Sequence, residues 1–83
     1  MRIEISRNAA QALRKSNKRT LIAQKIDALA EDPLSQRANV IRLKGKTAFR
    51  LRVQDWRVVF RIEEDTLFVD AIEPRRSAYE ERS

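Results

Sequence analysis

The sequence predicts an α+β domain ordered β-α-α-β-β-β(-β): an N-terminal strand, a helical hairpin and an antiparallel twisted sheet. Two observations carry this. Between residues 9 and 30 the apolar residues recur at helical spacing, whereas from residue 47 onward they alternate with period two. The links between the late alternating runs are also short, which favours antiparallel hairpins over crossovers. The order of elements then places the helices on one face of the sheet.

The opening "MRIEIS" alternates, with Ile3 and Ile5 on one side, and forms a short first strand. Ser6 or Asn8 can cap a helix running through Ala9, Ala10 and Leu13, which ends near the polar "KSNK". Asn17 offers the next cap. The helix over residues 18–30 sets Ile22, Ile26 and Leu29 at i, i+4 and i+7. Pro33 closes it, because the residue before a proline avoids helical geometry. A polar connection follows, then a short strand at "VIRL" and a turn at "KGK" around Gly45, the sole glycine. Three strands occupy residues 47–53, 56–62 and 67–72, linked by "QD" and "EEDT".

With the "QD" link as a two-residue turn, Val53 opposes Trp56, Arg52 opposes Arg57, Leu51 opposes Val58, Arg50 opposes Val59 and Phe49 opposes Phe60. The second link pairs Ile62 with Leu67, Phe60 with Val69 and Val58 with Ala71. One face then holds Phe49, Leu51, Val53, Trp56, Val58 and Phe60, so Trp56 belongs to the core. A slip of one residue would reverse every side chain. The other face holds Arg50, Arg52, Arg57 and Arg61, with Val59, Phe68 and Ile72 among them. Asp70, across Val59 from Arg50, offers partial compensation. In this register Ile72 lies beside Arg57, and "EPRRSAYE" leaves the sheet next to the arginines, bringing Arg75, Arg76 and Tyr79 within reach.

Directly opposed like charges cost a few tenths of a kcal/mol, up to about 1 kcal/mol where poorly solvated. Clustered on one patch, the arginines make an anion site, and phosphate suits the guanidinium fork. A solvated sheet face is the plainer alternative. For Tyr79 the alternatives are stacking on a base, exchanging a proton, or anchoring the C-terminus.

Composition bounds the function. The 83 residues suffice for one domain, 1–83, and carry a net charge of +6, a field that attracts anionic partners. Without cysteine there is no disulfide or thiolate metal site, and without histidine the usual metal ligand and general base are gone. No cofactor and no metal are expected. No apolar run approaches a membrane span, so a soluble cytoplasmic protein is expected.

The segment "LKGKTAFRLRVQDWRVVFRIEEDTLFVDAIEPRRSAYE" resembles the RelE/ParE superfamily of bacterial type II toxins. The matching features are Leu43 and Gly45; Arg50 and Arg52; Asp55, Trp56 and Arg57; then Arg75, Arg76 and Tyr79. The first strand and helical hairpin follow the same order, so the likeness spans nearly the whole chain. The resemblance implies a RelE-like microbial RNase fold that cuts mRNA in the ribosomal A site and is neutralised by a cognate antitoxin. It implies catalytic roles for Arg50, Arg52, Arg57 and Tyr79, with Arg75 or Arg76 in the late basic position; Arg61 on the arginine face, Lys44 and Lys46 at the turn, and Arg75 and Arg76 are the expected phosphate contacts. The antitoxin would supply an acidic amphipathic segment that covers the basic face or displaces the C-terminal segment, with the helical hairpin as one dock for it. Two departures stand out. Pro74 occupies a position where many members carry histidine, and both strand positions are arginine, which stays protonated and serves poorly as a base. A ParE-like inhibitor of DNA gyrase without enzymatic activity is the main rival. A decayed RNA- or ribosome-binding module is another.

Overall fold

In the computed structural model, which describes residues 1–76, β1 (Arg2–Ile5) leads directly into α1 (Arg7–Lys15). Ser6 is the junction. Its Oγ accepts from the Ala9 amide at 3.1 Å, capping α1, and donates to the Asp70 carbonyl at 2.9 Å. One hydroxyl thus starts the helix and fastens it to the sheet.

The helical hairpin turns at Ser16 rather than Asn17. Ser16 is buried, and its Oγ accepts from the Lys18 amide at 2.9 Å. α2 (Arg19–Glu31) begins after Lys18 with no side-chain cap. Its Ile22, Ile26 and Leu29 are buried as their spacing requires. The stretch after it is not a plain connection. Asp32 accepts from the Leu34 amide at 3.1 Å and Pro33 fills the first position of a 3-10 helix, Pro33–Asn39. That element leads into β2 (Val40–Arg42).

The sheet continues with β3 (Phe49–Val53), β4 (Trp56–Glu63) and β5 (Thr66–Pro74), in the order β1-β5-β4-β3-β2. It is antiparallel from β2 to β5. β1 is the exception, lying parallel to β5 with Arg2 opposite Thr66 and Ile5 opposite Val69. Residues 47 and 48 precede β3 instead of extending it. The β3–β4 register is the one the alternation dictates, from Phe49 opposite Phe60 to Val53 opposite Trp56. The turns are tight: Gln54 and Glu64 adopt φ 53° and 55°, and Gly45 adopts φ 73°.

The β4–β5 register departs from the expected one beyond Phe60. Phe60 opposes Val69, but Val59 opposes Ala71 and Val58 opposes Ile72, leaving Asp70 as an extra residue. This bulge exchanges the faces of everything after it. Ile72 therefore enters the core at 5% exposure, and Glu73 takes the place beside Arg57.

Ala9 of α1 and the α2 isoleucines and leucine pack on Leu51, Val53, Val58, Phe60, Leu67, Val69 and Ile72. Trp56 and Phe49 pack against this core partly buried, and the Phe49 and Phe60 rings stack with centroids 5.5 Å apart. No helix among the described residues is long and apolar enough to cross a membrane.

Ser6→Ala removes a cap and a helix-to-sheet bond together. It should lower unfolding free energy by about 1–2 kcal/mol in a urea titration. A loss too small to measure would show that neither bond matters.

Candidate functional site

The sheet face opposite the helices carries the arginines, and the β3–β4 hairpin sets their geometry. Arg52 and Arg57 are direct cross-strand partners, and Arg50 lies two residues along β3 on the same face. The turn at Gln54 brings its carbonyl back over β4. Arg57 Nη1 donates to Gln54 O at 2.8 Å and to Trp56 O at 2.9 Å. The Arg57 side chain is tied down in this way and is only 6% exposed.

Arg52, exposed, donates from Nη2 to Asn39 Oδ1 at 3.0 Å. The end of the 3-10 helix thus meets the hairpin. Ala38, Asn39, Ile41, Arg50, Arg52 and Arg57 line one depression of about 220 Å³. Among the described residues, none of the three arginines has a carboxylate in salt-bridge contact. Burying a cation without a counter-charge is costly unless its donors are satisfied. Here the acceptors that the described residues offer Arg57 and Arg52 are carbonyl and amide oxygens, which carry no formal charge.

Arg61 is held in the opposite way. Its Nε meets Asp70 Oδ2 at 3.0 Å, Nη1 contacts the Glu63 carboxylate, and its guanidinium lies 4.3 Å above the Phe68 ring. The hydrogen bonds to Glu63 and then Asp70 raise its pKa above the ordinary arginine value, so it stays charged at any working pH. Asp70 therefore serves Arg61, not Arg50. Arg61 shares the arginines' face but lies outside their depression.

Lys44 and Lys46 flank Gly45 at the far end of the β2–β3 hairpin, in a separate depression with Arg42 and Thr47. The structure does not bring them to the arginines. Arg75 is exposed, and its amide donates to Asp55 O at 2.6 Å, which places it at the β3–β4 turn beside Arg57, with Arg76 next in the chain. Tyr79 lies outside the described residues. Asn39 and Glu73 are the neighbours that sequence reasoning missed. The Asp32-Pro33 start signal could have revealed the 3-10 helix and so Asn39. Nothing local marks the bulge that moves Glu73. Among the described residues no three histidine, cysteine, aspartate or glutamate side chains gather as a metal site.

The two kinds of arginine should separate in a phosphate titration followed by NMR. Arg57→Gln should weaken binding about tenfold or more, as expected for a charged hydrogen bond of about 1.5–3 kcal/mol. Arg61→Gln should leave binding within about twofold and lower Tm. Equal losses from both variants would mean that the face attracts anions only through its overall charge.

A family model described as the ParE toxin of the type II toxin–antitoxin system parDE matches residues 3–79. No sequence among curated proteins matches the chain. Solved structures do. The matched chain of the RelE–RelB complex from Pyrococcus horikoshii OT3 is 23% identical, with 89% of this chain and 93% of that one covered, at a TM-score of 0.76. The isolated E. coli RelE toxin is 21% identical, covering 98% and 93%, at 0.72. YafQ from E. coli strain BL21(DE3) is 15% identical, covering 95% and 99%, at 0.73. At such identities the likeness is one of fold. The family model spans nearly the whole chain, and with it the chain belongs to the ParE toxin family, within the RelE/ParE superfamily of type II toxins.

Proposed function

We propose that this toxin is a ribosome-dependent mRNA endoribonuclease, inhibiting translation until a cognate antitoxin neutralises it. The observation that carries the reading is the depression in which Arg50, Arg52 and Arg57 converge while keeping their charge. Cutting RNA at its own 2′-hydroxyl forms a bond from that oxygen to phosphorus and breaks the bond to the 5′-oxygen. Negative charge builds on the phosphate in between. Fixed guanidiniums stabilise that state, and removing one such donor typically costs about 10²–10³ in rate. Arg50, Arg52 and Arg57 take this role, with Arg75 or Arg76 adding contacts from the adjacent turn. The proton leaving the 2′-hydroxyl and the one reaching the 5′-oxygen pass through Tyr79 or through groups of the ribosome and the RNA. Lys44 and Lys46, at the far end of the hairpin, would reach only more distant phosphates. Arg61 is assigned to holding the sheet.

An antitoxin partner is supported by the solved complexes of RelE with RelB and by the net charge of +6, which suits an acidic segment. A second reading is non-enzymatic inhibition of DNA gyrase. It is favoured by the description of the matched family model, which names the parDE toxin.

Primer extension on a translated message after induction separates the two. The nuclease reading expects cuts within codons that vanish in the Arg57→Ala, Tyr79→Phe double variant. Intact messages together with inhibited supercoiling would establish the gyrase reading instead.

A further inference from the structure

We infer that Asn39 is a positioning residue of the arginine cluster: it fixes Arg52 on the wall of the depression with a neutral acceptor, so that Arg52 meets a phosphate with its full charge. The inference deepens the anion-binding reading above and rests on it.

Arginine has five donors and no acceptor, so the oxygen of the Asn39 amide must be the atom that faces it. The bond therefore needs no particular protonation state and adds no negative charge. Asn39 is also well placed to hold a long side chain still. It ends the 3-10 helix whose start Asp32 caps, and the next residue, Val40, pairs with the fully buried Leu51. Both of its flanks are anchored. An exposed arginine otherwise samples many rotamers, and ordering it costs entropy at the moment of binding.

The pattern across the face gives the reason for an amide. Arg57 is oriented by two carbonyls and Arg52 by an amide oxygen, and both line the depression. Arg61, outside it, is held by two carboxylates. Aspartate at position 39 has almost the same shape and would form a stronger, charge-assisted bond to Arg52. It would also cancel the charge that the site needs. A purely structural role predicts that Asp is tolerated at 39 and Ala is not. A positioning role that preserves charge predicts the reverse order for binding.

The test uses the full chain and two probes: inorganic pyrophosphate, followed on the Arg52 Nε–H resonance, and a short unstructured single-stranded RNA, followed by fluorescence anisotropy across a salt series. Asn39→Asp should melt at or above the wild-type Tm, yet bind both probes about tenfold more weakly. Its salt slope for RNA should fall by about 0.7, the share of one phosphate contact on a single strand. Asn39→Ala should lose about two- to fivefold with the slope unchanged, since the charge remains and only its placement is lost. Adding Arg52→Gln to Asn39→Asp should cost little more, because the two act as one unit.

Wild-type affinity in Asn39→Asp, or weaker binding by Asn39→Ala than by Asn39→Asp, overturns the inference. So does a wild-type chain that binds neither probe. If the variants fall in the expected order while induced cells keep their messages intact, the role of Asn39 stands and the nuclease reading alone is lost.

Discussion

Asp70 is the extra residue in β5, and three parts of the molecule depend on it. Its carbonyl takes the Ser6 hydroxyl that caps α1, so the helical layer is pinned to the sheet there. Its carboxylate holds Arg61 and, with Glu63, removes one cation from the basic face. The register shift that it creates turns Ile72 inward to complete the core and brings Glu73 beside Arg57. A strand in strict alternation could do only some of this, because period two ties every residue to one face.

The basic face is better described by how its charges are partnered than by how many there are. Carboxylates hold Arg61 and spend its charge inside the fold. Neutral oxygens hold Arg52 and Arg57 and leave theirs directed at the depression. Direct opposition of Arg52 and Arg57 makes sense in these terms, since an anion bound between them relieves their repulsion.

Much of this was legible in the sequence. The helix periodicity named Ile22, Ile26 and Leu29, and the alternation named the whole β3–β4 register, because both follow from local repeat geometry. Three features were not. The parallel placement of β1 depends on which sheet edge is left open, which no local pattern states. The bulge coincides with contacts from remote parts of the chain, Ser6 and Arg61 both binding Asp70, which local alternation does not encode. Asn39 came from a segment whose polar composition resembles loop, although Asp32 and Pro33 signal a new helical start. The arginine trio was visible by parity alone. What separates it from Arg61 is the identity of the acceptors, and those come from remote parts of the chain.

The pairing of β1 with β5 has a consequence for how the chain is made. Ser6 must wait for Asp70, 64 residues later, before its hydroxyl finds its acceptor. Contacts of such separation form late and slow the search for the native state. While the chain is still being synthesised, β1 has no strand to join and the β3–β4 hairpin lacks the neighbour that completes its sheet. The sheet that carries the arginine surface is therefore complete only once β5 has joined both β4 and β1.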